Sequence, residues 1–264
     1  MCGRYAASAR PEELVEEFEA DDHTGTSFEA DYNVAPTKPA PVVLTRVPRQ
    51  EREAGGEPVR QLRILTWGLV PSWSKSANAK PLINARVETL FDKPAYRRAA
   101  RARRAIAPAA GWYEWERPAE GAPARGPKQP FYMTRRDGAS VALAAVYEFW
   151  RDPSREDDDP LAWLTTFAVL TTQAEPGLAH IHDRMPVVLD PDRWQRWLDP
   201  TVTDPVDIAP LLTQGVPPGR FQAMPVSSLV SNARNNGPDL VKPVEIAGTQ
   251  VDATTGEVQT LPGL

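Results

Sequence analysis

A chain of 264 residues, 41% apolar and 25% charged, is long enough to bury a substantial core, either as one large α+β domain or as two small ones. No apolar run approaches the roughly 20 residues that span a bilayer, and the N-terminus has no basic, hydrophobic signal pattern, so a cytoplasmic protein is expected. A net charge of −5 argues against a surface coated with nucleic-acid-binding charge, yet 30 Lys and Arg can segregate from 35 Asp and Glu into one basic groove.

The first stretch, Met1-Cys2-Gly3-Arg4-Tyr5, holds the only cysteine of the chain. Loss of the initiator Met, which small second residues permit, makes Cys2 a 1,2-aminothiol. A free α-amine titrates near about 7.8 and a thiol near about 8.5, so both nucleophiles are partly active at neutral pH. The chemistry suited to this pair is attack on an aldehyde, with the amine forming an imine and the thiol closing it to a thiazolidine. Gly3 leaves room for a ligand to approach, and Arg4 places a fixed charge suited to phosphate. The competing reading is a small buried hydrophobe in a frayed terminus. One cysteine excludes a disulfide framework and a cysteine-rich zinc site. With three histidines (His23, His180, His182), a mechanism without metal or cofactor is expected.

Residues 10–20 carry Pro and acidic residues in a first turn, then Leu14, Val15 and Phe18 at helical spacing, which predicts a short amphipathic helix. Tyr32-Asn33-Val34-Ala35-Pro36-Thr37 reads as a turn leading into a strand over Pro41–Arg46, and 47–60 as a mobile hairpin loop. A strand over Gln61–Gly68 puts Trp67 in the core. Trp73 follows a proline among Ser, Lys and Asn, where an exposed ring can stack on a base or anchor a loop.

In Leu82–Thr89, Asn84 and Arg86 sit two apart in extended chain and share a face, a carboxamide for a carbonyl or hydroxyl beside a guanidinium for a phosphate. Capping of the following helix is the alternative. Arg97–Arg104 supplies five arginines in eight residues, read as the solvated end of that helix, with tracking of a nucleic-acid backbone as the second reading. Strands are then expected at Ala105–Ala109, Trp112–Trp115, Gln129–Thr134, Val141–Val146 and Trp163–Thr171. Alternation puts Glu114 on the face of Trp112, so the carboxylate either pairs with a cation or carries a raised pKa and moves protons. The loops 117–128 and 151–160 have no assigned role. His180 and His182 lack the company a metal needs, and a single catalytic histidine beside Arg184 fits better. A helix is expected at Asp192–Leu198, a polar loop within Met224–Val241, and little to bury after Pro243. These segments predict a mixed, mostly antiparallel sheet curled into a barrel with peripheral helices.

Seven blocks, starting at Met1, Tyr32, Trp67, Pro81, Gly111, His182 and Val226, together resemble the SRAP family of abasic-site processing proteins, in the family's order and over residues 1 to about 243. The resemblance implies a single SRAP domain at 1–243 with a C-terminal tail at 244–264. It implies a monomer that binds single-stranded DNA, at junctions with duplex, and crosslinks itself to abasic sites through a thiazolidine on Cys2. The protein would be cytoplasmic, and nucleoid-associated when on DNA.

Carried over residue by residue, Cys2 matches the nucleophile, Asn84 the lesion-sensing amide, and Glu114 and His182 the acid/base pair. Arg4, Asn33, Arg86, Thr171, Arg184 and Asn232 fall at DNA-contacting positions, and Pro36 and Trp73 at a strand-separating wedge. Bacterial relatives can carry a second aromatic after Trp73, where this chain has Ser74. Self-removal of Met1, weak lyase action and slow reversal of the crosslink are further implications. Two other classes stay open: an N-terminal-nucleophile amidase and a non-catalytic single-strand binder.

Overall fold

Among the described residues the chain forms fifteen strands and four α-helices, three of the helices opening on a proline. The computed structural model describes residues 2–48, 51, 54–76, 80–116, 128–156, 158–213 and 219–246, and the backbone of 249–251 and 258–260. Residues 49–50, 52–53 and 117–127, which fall in two of the expected loops, lie outside the described residues. The strands of the first half are β1 (Arg4–Ala7), β2 (Asp21–Asp22), β3 (Asp31–Val34), β4 (Pro39–Arg46), β5 (Val59–Trp67), β6 (Asn84–Arg86), β7 (Arg104–Ala109) and β8 (Gly111–Trp115). Then follow β9 (Pro130–Arg135), β10 (Val141–Arg151), β11 (Trp163–Gln173), β12 (Arg184–Pro186), β13 (Phe221–Pro225), β14 (Thr249–Val251) and β15 (Val258–Thr260). The helices are α1 (Pro11–Phe18), α2 (Arg97–Ala102), α3 (Pro191–Leu198) and α4 (Pro205–Thr213).

One sheet has the order β13-β9-β8-β1-β3, antiparallel throughout. The larger sheet runs β12-β11-β10-β7-β4-β5-β2. A parallel pairing of β11 with β5, at Thr166 with Thr66 and Phe167 with Trp67, joins two members of this path and closes β5, β4, β7, β10 and β11 into a ring. The expected curled, mixed sheet is therefore a small barrel.

Both faces of the barrel strands are buried, which the near-continuous apolar runs of β7 and β10 require. On β10, Val141, Leu143, Ala145 and Tyr147 share one core with Cys2 and with Tyr5, Trp112 and Met133 of the other sheet. Ala142, Ala144 and Val146 face a second core under the helices. Trp67 sits in the first core, with Tyr5 edge-on at 5.1 Å and Phe167 stacked at 6.4 Å. Such pairs add about 0.5–1.5 kcal/mol each beyond the apolar area they bury. In the second core Phe18 of α1 stacks on Trp194 of α3 at 4.4 Å.

The arginine run divides, against the expectation of one solvated face. Arg103 pairs with buried Glu148 at 2.6 Å. Arg104 is 3% exposed and donates to the carbonyls of Trp197, Ala100, Arg101 and Asp199, tying the end of α3 to β7. A desolvated guanidinium needs such a set of acceptors, and local charge counting does not reveal them.

Beyond Pro243 the chain continues beside β13, with Val244 donating to Pro225, and β14 pairs antiparallel with β15. Ala35-Pro36-Thr37-Lys38 makes a turn closed by Lys38 N–H to Ala35 at 3.1 Å, with Thr37 at a φ of 73°. This is the type II pattern, whose third position normally takes Gly or Asn. Gly68 leaves β5 at a φ of 127°, and a Cβ there would stand 2.7 Å from Pro81.

Candidate active site

The register of β1 against β8, Arg4 opposite Tyr113, carries the residues before Arg4 alongside Glu114 and Trp115. Cys2 is fully buried there, in the core shared by the two sheets. In this chain, which still carries Met1, burial pushes the thiol well above its usual range and the Glu114 carboxylate pushes it further. The free-thiol value expected from sequence does not survive this desolvation.

Asn84 reaches the same place from the barrel. Its strand β6 lies parallel to β11, Asn84 beside Val169, and its side-chain amide donates to the backbone carbonyl of Cys2 at 2.7 Å. Its Oδ1 is buried and accepts no hydrogen bond. Its own carbonyl accepts from the Tyr96 hydroxyl at 3.0 Å. Tyr96 was not anticipated, since it lies twelve residues on and no local pattern links the two.

Glu114 is 3% exposed, on the face of Trp112 as the alternation required. Burial raises its carboxyl to about 7, with a smaller upward push from Asp183. His182 follows the turn after β11, beside Ile181 of the Cys2 core. Its Nδ1 lies 3.0 Å from the backbone N–H of Arg184 and 3.2 Å from the Arg184 carbonyl. Asp183 Oδ1 lies 3.1 Å from Nδ1, placed to stabilise an imidazolium. The Cys2 carbonyl, Asn84, Glu114 and the His182–Asp183 pair are thus gathered at one junction of the two sheets.

The expected DNA contacts separate into two groups. Arg86 and Asn232 are exposed, Trp73 is 66% exposed, and Pro36 is half-buried. The other four are engaged inside the protein. Arg4 donates to Asn33 Oδ1 at 2.7 Å and to the Val230 carbonyl at 2.6 Å, and lies 5.8 Å over Trp115. Asn33, fully buried, donates onward to the carbonyls of Asn232 and Asn235. Arg184 forms a two-pronged pair with Glu88 at 2.7 and 3.0 Å and donates to the Thr171 carbonyl at 2.6 Å. Asn33 and Thr171 therefore depart from the expectation of DNA contact, because fully buried side chains offer phosphate no surface. They act instead as seats for Arg4 and Arg184. Glu88 is the partner that sequence reading missed, 96 residues from Arg184. Among the described residues no three His, Cys, Asp or Glu gather in a group able to hold a metal ion.

The family described as SOS response associated peptidase (SRAP) matches residues 1–233 of this chain. The chain belongs to the SRAP family. The abasic site processing protein YoqW of Bacillus subtilis is 33% identical to this SRAP chain over 246 residues, covering 92% of the chain and 99% of YoqW. The abasic site processing protein YedK of Escherichia coli is 33% identical over 250 residues, covering 92% of the chain and all of YedK. A crystal structure of a Bacteroides thetaiotaomicron protein matches the SRAP fold with a TM-score of 0.73 at 23% identity, over 92% of this chain and 100% of that one.

Proposed function

We propose that this SRAP protein processes abasic sites in single-stranded DNA by forming a thiazolidine crosslink through Cys2 once Met1 has been removed. Its similarity to proteins named for abasic site processing supports the substrate. The observation that carries the chemistry is Asn84 holding the Cys2 backbone beside a carboxyl raised to about 7.

A closed abasic sugar must open before it presents an aldehyde: His182 in its imidazolium form, beside Asp183, donates a proton to the ring oxygen as the C1′–O bond breaks, and the C1′ hydroxyl gives its proton to water. Glu114 takes the proton of the α-ammonium, and the free amine adds to C1′. The carbinolamine loses water, with Glu114 returning the proton to the leaving hydroxyl, and leaves an iminium. A thiol pushed up by burial stays protonated at neutral pH, so it enters second. Sulfur bonds to the iminium carbon, the C=N pair goes to nitrogen, and the thiol proton passes to Glu114. One water is lost overall. The same iminium admits β-elimination, which accounts for weak lyase action, and the reverse sequence releases the crosslink. Removal of Met1 by the chain itself belongs to the same reading, with Cys2 as nucleophile and Glu114 as base.

Pro36 and exposed Trp73 are assigned to a strand junction, and the working unit is a monomer in the cytoplasm, on the nucleoid when bound. Among the described residues no helix is long and apolar enough to cross a membrane.

Denaturing electrophoresis with an oligonucleotide holding one abasic site tests this. A heat-stable shifted band is expected for the wild type and its loss for Cys2→Ala, with DNA binding retained. A band that persists in Cys2→Ala moves the nucleophile elsewhere. Binding without any covalent band favours a simple single-strand binder, and burst release from an amide substrate favours an amidase.

A further inference from the structure

Several arginines of this acidic protein are paired within it. Arg103, Arg135, Arg155, Arg184, Arg196 and Arg220 each meet a carboxylate. Lys93, Arg97, Arg98 and Arg101 differ. All four are exposed, and none makes a side-chain hydrogen bond or ion pair with the described residues. Ala99 and Ala100 turn α2 toward the sheet, so Arg97, Arg98 and Arg101, three and four residues apart, adjoin on its outward face. Like charges at these spacings oppose helix formation. Among the described residues no Asp or Glu relieves them.

This surface is continuous with the candidate site. Tyr96, the residue before α2, donates its hydroxyl to the Asn84 carbonyl at 3.0 Å. Arg86, exposed and two residues after Asn84 on the same strand, adds a further cation on this side of the site. The helix extends this cationic path by about 9 Å.

We infer that Lys93, Arg97, Arg98 and Arg101 form a contact surface for the phosphate backbone of single-stranded DNA, on one side of the nucleotide that reaches Cys2. The inference rests on the proposed reading of that site, and it names the surface that receives the flanking strand. Polyanion binding explains why the charges are clustered and unpaired, since a phosphate chain supplies the counter-charge and the release of its counterions supplies the affinity.

The test uses the full chain and oligonucleotides carrying a tetrahydrofuran site, which lacks the aldehyde and so reports binding alone. Anisotropy titrations across salt compare a five-nucleotide probe with probes extended by eight nucleotides on the 5′ or the 3′ side. The wild type is expected to gain affinity from one extension only. In Arg97→Gln/Arg98→Gln/Arg101→Gln that gain is lost, and the slope of log affinity against log salt falls by about 2, three contacts at roughly 0.7 each. The Arg→Lys triple keeps the charge and should keep the slope. A control removing the same charge elsewhere, Arg10→Gln/Arg196→Gln/Lys242→Gln, should leave the extension gain in place. A glutamine triple with the wild-type slope and gain, or a control that loses both, overturns the inference. Failure of the wild type to bind any of the probes overturns the reading of the Cys2 site itself.

Discussion

The side-chain amide of Asn84 donates to the backbone carbonyl of Cys2 at 2.7 Å, so a strand paired to the barrel's β11 fixes a segment that belongs to no strand of its own. Asn84→Ala leaves that carbonyl without its donor and is expected to lower stability by about 1–3 kcal/mol and to slow crosslinking. Asn84→Asp faces the carbonyl with an acceptor and should be worse in both respects. Urea denaturation and single-turnover crosslinking check this. Alanine and aspartate variants that react at the wild-type rate would remove Asn84 from the mechanism.

Glu114 makes stability depend on pH in a defined direction. Its carboxyl rises from 4.5 to about 7 on folding, so between these values the native state holds a proton that the unfolded chain has lost. Stability therefore falls as pH rises from about 4.5 to about 7, by roughly 3 kcal/mol, and is flat above. Glu114→Gln should abolish this slope in a pH series of denaturation curves. In crosslinking, the rate should rise through pH 7 in the wild type, and Glu114→Gln should lose this limb along with about 10²–10⁴-fold in rate.

Glu88 grips Arg184 with both carboxylate oxygens, and that bond, more than any other influence, holds the Glu88 pKa down. Glu88→Gln releases the guanidinium toward solvent and removes one negative charge from the rim. Affinity for single-stranded DNA should tighten several-fold, with a slope against salt steeper by about 0.7. Unchanged affinity would make the pair a purely internal staple between the Asn84 and His182 segments.

Trp73, at 66% exposure, has little burial to lose. Trp73→Ala should change stability by less than about 0.5 kcal/mol. If the ring stacks on a base, the same change weakens DNA binding by about 1–3 kcal/mol. Thermal melting and anisotropy measured on one preparation separate the two effects.

Period-two alternation and near-continuous apolar runs made β4, β5 and β7 to β11 legible to within a few residues at their starts, because strands buried on one face leave the first pattern and strands buried on both leave the second. α1 and α3 announced themselves by an opening proline and an amphipathic run. α4 did not, since Pro210 inside it reads as a breaker. Ring closure was illegible for a different reason: it rests on two residue pairs between β5 and β11, about a hundred positions apart. At the site, the burial of Glu114 followed from its neighbour Trp112. The burial of Asn33 and Thr171 did not, because it depends on Arg4 and Arg184 arriving from distant parts of the chain.

Arg4 is bonded to the carbonyl of Val230, 226 residues away, and to Asn33, which itself holds Asn232 and Asn235. Synthesis at roughly 5–20 residues per second separates the emergence of these partners by about ten seconds or more. The segment that carries Cys2 is thus locked only after the residues near 230 have been made, and a truncation that removes them acts on that segment as directly as a change beside it.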